Sequence, residues 1–186
     1  EKIVFHGNNK SDKEIDFAIR NNIKIIVDND YDLERIEEVT NTLNHDLEIM
    51  IRFTPGIECH THEYIRTGSF DSKFGFGIEY LNNLFARIAK TKHVKLKGIH
   101  AHIGSQIFEL DPHKDLGEIM VKVILDAKKF GHNITELNVG GGLGIKYTKN
   151  DDPPSIDEWV KTISNSVVEA CKKYNLNLPK LMCEPG

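Results

Sequence analysis

The chain lacks long hydrophobic runs, basic charge and abundant cysteine, and each shortage excludes a class of function. No apolar run approaches the roughly 18–20 residues that a membrane-spanning helix needs, so we expect no membrane partner. Lys and Arg number 24 against 28 Asp and Glu, and this net charge of −4 argues against nucleic acid as a partner. The 3 cysteines, Cys59, Cys171 and Cys183, are odd in number and far apart, which disfavours disulfides and a Cys-x-x-Cys metal site. We therefore expect a reducing, cytoplasmic setting.

The chain also lacks an initiating Met and a signal-peptide pattern. Its first residues already have the composition of a strand, and its last three, Glu184-Pro185-Gly186, directly follow another one. We therefore expect residues 1–186 to be one domain fragment of a longer protein.

What the chain does contain is a regular alternation of strand-like and helical segments. Six aliphatic runs without polar alternation predict strands buried on both faces, at 3–6, 23–28, 47–54, 96–103, 136–139 and 180–184. Apolar periodicity between them predicts five helices, one after the capping box Ser11-Asp12-Lys13-Glu14 and the others at 31–43, 79–92, 112–130 and 155–174. Strict alternation of this kind predicts an α/β fold with a parallel sheet.

Two architectures have this pattern, an open doubly wound sheet and a barrel. An open sheet that binds a dinucleotide carries Gly-x-Gly-x-x-Gly after an early strand. Gly142-Leu143-Gly144 fails that pattern, because Tyr147 stands where the third glycine belongs. Polar residues and glycines instead follow nearly every predicted strand, as they do at the carboxyl ends of barrel strands. We therefore predict a partial TIM (β/α)8 barrel, with about two further βα units outside this chain.

The clearest candidate binding motif is the glycine run Gly140-Gly141-Gly142, which follows the fifth predicted strand. Residues without Cβ let backbone N–H groups converge on an anion, although such a run also suits a plain tight turn. Ser105 follows Gly104 at another strand end, where its hydroxyl can donate to a phosphate oxygen or simply help to form a turn. Lys10 is a further candidate for an anion contact.

His100 and His102 lie two residues apart at a strand end, so the sequence places their side chains on one face. Three interpretations are open: hydrogen-bonded structural histidines, a histidine ring against a planar cofactor, and the ligands of a metal-dependent barrel hydrolase. The metal site would need a further ligand, for which Asp28 is the candidate. The glycine run supplies no such ligand, so we favour the cofactor and predict no metal.

Glu184 lies among apolar residues at the last strand end. A carboxylate buried there is costly unless it is paired with a proton or a cation. A protonated pyridine nitrogen would serve, and so would a neighbouring Lys or Arg. Taken with His102 and the glycine run, Glu184 predicts one pocket for a phosphorylated ring.

Six segments, in this order, carry a resemblance to a known family. They are His6-Gly7-Asn8-Asn9-Lys10-Ser11, Thr61-His62-Glu63-Tyr64-Ile65-Arg66-Thr67-Gly68, Ser72-Lys73-Phe74-Gly75-Phe76, Gly98-Ile99-His100-Ala101-His102-Ile103-Gly104-Ser105-Gln106, Asn138-Val139-Gly140-Gly141-Gly142 and Glu184-Pro185-Gly186. Together they resemble the barrel domain of the diaminopimelate decarboxylases, which are alanine-racemase-like pyridoxal-phosphate enzymes, from the third barrel strand to the eighth. The segments that begin at Thr61 and His102 favour this branch over the ornithine and arginine decarboxylases.

The resemblance implies roles for individual residues. His102 would stack on the pyridine ring of pyridoxal 5'-phosphate, and Glu184 would hydrogen-bond the protonated ring nitrogen. The phosphate would be held by Ser105 and by backbone N–H groups of Gly140, Gly141, Gly142 and Gly186. Arg52 would lie near the cofactor ring and Lys73 near a subunit interface.

The resemblance also implies an activity, the decarboxylation of meso-2,6-diaminopimelate to L-lysine and CO₂ by a homodimer of the full-length protein. A decarboxylase for ornithine, arginine or carboxynorspermidine is the alternative within the family, and a non-catalytic protein that binds pyridoxal phosphate is another. The family's Schiff-base lysine lies on the first barrel strand, which this chain does not contain. We therefore expect the 186 residues by themselves to be inactive.

Overall fold

The structure is a computed structural model that describes residues 3–57 and 73–185. Within these ranges the chain forms seven strands: β1 (Val4–Phe5), β2 (Lys24–Val27), β3 (Leu47–Thr54), β4 (Phe76–Gly77), β5 (Val94–His100), β6 (Glu136–Asn138) and β7 (Lys180–Met182). All pairings are parallel in the order β1-β2-β3-β5-β6-β7, and β4 pairs only with the end of β3. The predicted parallel α/β sheet is confirmed.

Helices connect consecutive strands of this sheet. They are α1 (Asp12–Arg20), α2 (Asp30–Leu43), α3 (Leu81–Ile88), α4 (Asp111–Lys129) and α5 (Ile156–Lys173), and a 3-10 turn (Ile78–Tyr80) precedes α3. Complete capping boxes start α1 and α5, where Ser11 pairs with Glu14 and Ser155 with Glu158. Among the described residues, no helix is long and apolar enough to cross a membrane.

The helices cover one face of the sheet, and a separate set of side chains lines the opposite face. In β3, Ile49 and Ile51 belong to the large apolar cluster shared with the helices. Met50 between them is buried but lies outside that cluster, and a Cβ built on Gly98 of β5 would lie 2.6 Å from its Cε. Because side chains alternate along a strand, Met50 and Gly98 mark the inner face. Gly98 is small enough to let the methionine pack there.

Two contacts show that the sheet is strongly curled. Neighbouring strands are about 4.8 Å apart, so the edge strands of a flat six-stranded sheet would be separated by roughly 24 Å. His6, directly after β1, nevertheless bonds Glu184, two residues after β7, with 2.7 Å between Nε2 and Oε1. At the opposite strand ends, Lys24 of β2 pairs with Glu136 of β6. The inner face is therefore the concave side of an arc, as a partial barrel requires.

The predicted element boundaries differ from the observed ones mainly at the strand ends. Predicted strand 96–103 ends at His100 and predicted strand 180–184 ends at Met182, because the residues beyond them turn into loops. The prediction of six strands was incomplete, since two-residue β4 has no hydrophobic run of its own. It forms because Phe76 pairs with Phe53 of β3. The predicted helix 79–92 is shorter, and its regular part ends at Ile88.

A buried histidine in the wall between α4 and α5 makes stability depend on pH. His113 is fully buried, its ring lies edge-on to Trp159 at 5.5 Å, and neither ring nitrogen has a hydrogen-bond partner among the described residues. Burial, with a smaller contribution from His102, lowers the pKa of His113 from 6.5 to about 4. His113 is therefore neutral in the folded protein at pH 7.

We expect acidification to destabilise the domain through this residue. Between pH 6.5 and 4 the unfolded chain binds a proton at His113 and the folded chain does not, so stability falls as pH falls through that window. From pH 7 to 5 the loss is about 2 kcal/mol, since one pKa unit corresponds to about 1.4 kcal/mol. Urea denaturation of the full-length protein at both pH values checks this. His113→Leu should lose correspondingly less stability between them, and an equal loss in both proteins would contradict the prediction.

Candidate functional site

The carboxyl ends of the strands bring most of the predicted site residues together. The loop after β5 carries His102 and Ser105, the loop after β6 carries the glycine run, and Glu184 follows β7. The backbone N–H of Glu184 donates to the carbonyl of Gly140 at 2.7 Å, so the last two of these loops are directly bonded. The predicted pocket at one end of the sheet therefore has its components side by side.

Glu184 is an ionised carboxylate surrounded by hydrogen-bond donors. Its Oε1 accepts from Nε2 of His6 at 2.7 Å and from Nδ2 of Asn138 at 3.2 Å, while its Oε2 lies 3.6 Å from Nε2 of His100. The imidazole of His100 and the hydrogen bond from His6 hold the pKa of Glu184 well below its usual range, although burial opposes them. The sequence left open a pairing with Lys or Arg, but the hydrogen-bonding partners are His6 and Asn138, with His100 close by at 3.6 Å.

His100 is buried on the concave face beneath Glu184. Burial lowers the pKa of His100 to about 4, so its ring is neutral at pH 7. Its Nδ1 has no hydrogen-bond partner among the described residues, and its Nε2 faces the carboxylate. This arrangement favours the tautomer with the proton on Nε2. His100 is therefore an uncharged ring whose Nε2 faces the Glu184 carboxylate.

His102 lies beside the glycine run and not in the strand. The N–H of Gly141 donates to its Nδ1 at 3.3 Å, which fixes the ring and leaves the proton on Nε2. Burial and, to a smaller extent, the positive charge of Arg52 lower the pKa of His102 below 6.5. A neutral, fixed and partly exposed imidazole is a suitable surface for a flat ring.

The glycine run approaches its neighbours too closely for any side chain. Gly140 and Gly142 have φ of +66° and +109°, which only glycine adopts without strain. A Cβ on Gly142 would lie 2.5 Å from the carbonyl oxygen of Gly104, and one on Gly141 would overlap the carbonyl oxygen of Glu184. The loop is thus wedged between the loop that carries Ser105 and the one that carries Glu184.

Ser105 lies in a loop that the glycine run clamps in place. The N–H of Ile107 donates to the carbonyl of Gly142, and the side-chain amide of Gln106 exchanges two hydrogen bonds with the backbone of Ile145. Ser105 itself is half-buried. Among the residues that the structure describes, its hydroxyl has no bonded partner, so the group is free to bind a ligand.

Arg52 of β3 and Asp28, the residue directly after β2, form a largely buried pair. Their closest charged atoms are 3.7 Å apart, and the Arg52 guanidinium lies 4.6 Å from the centroid of the Phe74 ring. The N–H of Gly75 donates to Asp28, while burial raises the pKa of this carboxyl. Arg52 is the register partner of His100 in the pairing of β3 with β5, which places it beside the site.

The set of candidate metal ligands predicted from the sequence, Asp28, His100 and His102, is wrong. In the described part of the chain, the ligand-type atoms that converge within 4.8 Å belong to His6, His100 and Glu184. Asp28 pairs with Arg52 instead, because β2 places it next to β3. Nothing in the sequence groups residues that follow β1 with those that follow β7, since the degree of curl of the sheet is not visible there.

Lys10 does not contact an anion in this site, so that expectation was wrong. Its ammonium is buried, pairs with Asp32 at 2.6 Å and donates to the carbonyl of Gly7. Asp32 also accepts from the N–H of Asp28. The pair holds the loop after β1 against the start of α2.

His6 and Asn138 are site residues that the sequence reasoning did not single out. His6 follows a strand, and this position was a usable signal. Asn138 ends β6 within an aliphatic run, and nothing local distinguishes it from a core residue. Gly186 and the segment 58–72, which contains Cys59 and the motif from Thr61 to Gly68, lie outside the described residues. Lys73 is exposed, with its Nζ 5.2 Å from the centroid of the Phe74 ring.

The whole chain matches one family model, that of the pyridoxal-dependent decarboxylase, pyridoxal binding domain, over residues 1–186. The chain belongs to this family. It is 53% identical to the diaminopimelate decarboxylase of Synechocystis over 186 residues, which are 100% of this chain and 40% of that protein. It is 38% identical to the Bacillus subtilis enzyme of the same name over 100% of this chain and 43% of that protein.

Solved structures agree with this assignment. Helicobacter pylori diaminopimelate decarboxylase complexed with L-lysine superposes with a TM-score of 0.87 at 29% identity, covering 99% of this chain and 45% of that one. The M. jannaschii enzyme in co-complex with L-lysine gives 0.88 at 31% identity, covering 99% and 43%. The partial alanine-racemase-like barrel is therefore confirmed, and the chain spans less than half the length of these relatives.

Proposed function

We propose that the full-length protein decarboxylates meso-2,6-diaminopimelate to L-lysine and CO₂ with pyridoxal 5'-phosphate as its cofactor. The relatives named diaminopimelate decarboxylase support the reaction. The observation that carries the proposal is the bond between the glycine run and the Glu184 backbone, which keeps an anion-binding loop and a carboxylate at a fixed separation. A phosphorylated pyridine needs both, one at each end of the ring.

The residues of this chain fit pyridoxal phosphate in three respects. A Cβ on Gly140, Gly141 or Gly142 would collide with a backbone oxygen of a neighbouring loop, so the run must be glycine, and a loop without side chains can offer its backbone N–H to a phosphate. Glu184 is ionised and 37% exposed in its side chain, so it can accept a hydrogen bond from a cationic ring. His102 offers a neutral ring that the N–H of Gly141 holds beside the glycine run.

Bound pyridoxal phosphate supplies an electron sink, since its protonated pyridine ring takes up the electron pair that departing CO₂ leaves behind. Glu184 keeps the proton at the ring nitrogen, because an ionised carboxylate favours the protonated neighbour. Ser105 and the N–H group of Gly142 bind the phosphate, and Gly186 is proposed to add a further N–H. The N–H groups of Gly140 and Gly141, which the sequence also suggested, donate to Asn138 and His102 and would have to exchange those bonds for the phosphate. His102 packs against the ring, and Arg52 contributes positive charge beside it.

The test uses the full-length protein that contains this chain. It should bind one pyridoxal phosphate per subunit, measured by absorbance, and release CO₂ from meso-diaminopimelate. Ornithine, arginine and carboxynorspermidine as substrates distinguish the other decarboxylases, and metal analysis of the purified protein tests the hydrolase. A protein that binds no cofactor, or binds it without releasing CO₂ from diaminopimelate, would refute the proposal.

We further propose that residues 1–186 form the barrel part of a homodimeric enzyme in the cytoplasm, with Lys73 near the subunit interface. The basis is the resemblance to the family together with the exposure of Lys73. The 186 residues alone should release no CO₂ under conditions in which the full-length protein does. Light scattering of the full-length protein should give twice the subunit mass.

Gly141→Ala is expected to weaken cofactor binding by about tenfold to a hundredfold, since overpacking typically costs about 1–3 kcal/mol. The added methyl would push the Glu184 backbone away from the glycine loop. Titration of the full-length apoprotein with pyridoxal phosphate measures the change.

Gly131→Ala controls for a general loss of stability in that experiment. Its φ of +86° makes an alanine strained, but Gly131 follows α4, away from the glycine loop, and an added methyl there would have no atom within 4 Å. This variant should therefore bind the cofactor as the wild type does. Equal affinities of the two variants would contradict the prediction.

A further inference from the structure

The two oxygens of the Glu184 carboxylate have different surroundings. Oε1 accepts two hydrogen bonds, from His6 at 2.7 Å and from Asn138 at 3.2 Å. Oε2 accepts none within 3.5 Å from any residue that the structure describes, and its nearest charged or polar partner is His100 at 3.6 Å. One oxygen is therefore fixed by the protein, and the other is left for a ligand.

Asn138 connects this carboxylate to the glycine loop. Its Nδ2 donates to Oε1 of Glu184, and its Oδ1 accepts from the N–H of Gly140 at 2.9 Å. The reverse orientation of the amide would set its oxygen against a carboxylate and its NH₂ against an N–H, so the hydrogen bonds determine the orientation. Asn138 is buried at the end of β6. A single side chain thus sets the distance between the carboxylate and the anion-binding loop.

His6 approaches the same oxygen from the opposite edge of the sheet. Its ring lies edge-on to His100 at 4.9 Å, and the following residue, Gly7, is held by the buried ammonium of Lys10. His6 is therefore fixed on two sides before it bonds Glu184. Because it follows β1 and Glu184 follows β7, this bond exists only in a curled sheet.

We propose that His6 and Asn138 are positioning residues that hold Oε1 of Glu184 and thereby present Oε2 to the ring nitrogen of the cofactor. This inference rests on the proposed function. Without the two donors, the Glu184 side chain is free to change rotamer, because its three rotatable bonds are otherwise unrestrained at that oxygen. The proton at the ring nitrogen is then held less well, although the phosphate loop still binds the cofactor.

Two variants of the full-length enzyme test this. His6→Phe keeps a ring and removes the donor. Asn138→Asp keeps the acceptor for Gly140 and replaces the donor to Glu184 with a second carboxylate oxygen. Each should lower kcat about tenfold to a hundredfold, as expected for losing a hydrogen bond to a charged group, with KM little changed. With ¹⁵N-labelled pyridoxal phosphate, the ring-nitrogen resonance should move towards its unprotonated position.

The controls separate positioning from general damage. His6→Gln places an amide donor near the same oxygen and should recover most of the kcat and the wild-type resonance. His45→Phe removes a comparable histidine bond, from Nε2 to Oδ1 of Asn22, at the opposite end of the sheet, and should change neither quantity. His6 is one-third exposed, so His6→Phe decides the test if Asn138→Asp does not fold.

The inference fails if His6→Phe binds the labelled cofactor and keeps both the wild-type kcat and the wild-type ring-nitrogen resonance. Failure of the proposed function gives a different result, because the wild-type enzyme would then take up no labelled cofactor or release no CO₂ from diaminopimelate. Glu184→Gln in the same experiment supplies the reference position of the resonance when the carboxylate charge is absent.

Discussion

Glu184→Ala in the full-length protein is expected to lower the kcat of the proposed decarboxylation by about a hundredfold to a thousandfold while leaving cofactor binding largely intact. The range is that found when one preorganised electrostatic contact to a reacting group is removed. The cofactor should still bind because the glycine run contacts the backbone of residue 184, which alanine retains. Steady-state CO₂ release and titration with pyridoxal phosphate measure the two quantities separately.

Glu136→Ala is the matched control for this prediction. Glu136 is also a carboxylate on the concave face, but it pairs with Lys24 at the opposite ends of the strands. Its loss should reduce stability and leave kcat close to that of the wild type. If Glu184→Ala retained full turnover, Glu184 would have no part in holding the ring-nitrogen proton.

Asp32→Leu is expected to cost about 3–5 kcal/mol of unfolding free energy, the typical penalty for leaving a buried charge without its partner. The side chains of Lys10 and Asp32 are each 1% exposed, so solvent does not screen the ammonium that remains. The double variant Lys10→Met/Asp32→Leu should recover much of this loss. It should not recover all of it, because the N–H of Asp28 also loses its acceptor. Urea denaturation of the full-length protein measures each variant.

An exposed ion pair provides the comparison for that experiment. Asp16 and Arg20 pair on the surface of α1 with side chains 40% and 55% exposed. Surface pairs contribute about 0–1 kcal/mol, so Asp16→Leu should change the unfolding free energy very little. If Asp16→Leu and Asp32→Leu changed the unfolding free energy equally, burial of the Lys10 ammonium would add no penalty for the loss of its partner.

Local chemistry explains which parts of the fold were predictable. The capping box at Ser11 is satisfied within four residues, so the sequence alone predicts where α1 starts. The aliphatic run of β3 predicts its observed bounds, Leu47–Thr54. β4 was missed because two residues carry no periodic pattern, and it forms only by pairing with β3. Strand ends at His100 and Met182 were overextended, because aliphatic composition continues where the hydrogen-bonded ladder stops.

In the site, too, local sequence predicted some features, and contacts between distant residues decided the others. Residue types at strand ends predicted His102, Ser105, Gly140–Gly142 and Glu184 as neighbours, because parallel strands place their carboxyl ends at one edge. The same reasoning misassigned Asp28 and Lys10, since their charges could equally be satisfied by Arg52 and Asp32. A sequence does not show which of several opposite charges becomes a partner in the folded protein.

The sequence by itself determined the alternating α/β order, the glycine loop and the family, because each depends on residues that are close along the chain. Only the tertiary structure decided that His6 meets Glu184 across 178 positions, that Asn138 joins Glu184 to Gly140, and that Lys10 is buried. The physical reason is the curl of the sheet. Strand twist and helix packing accumulate over six strands to produce it, and no single segment encodes it.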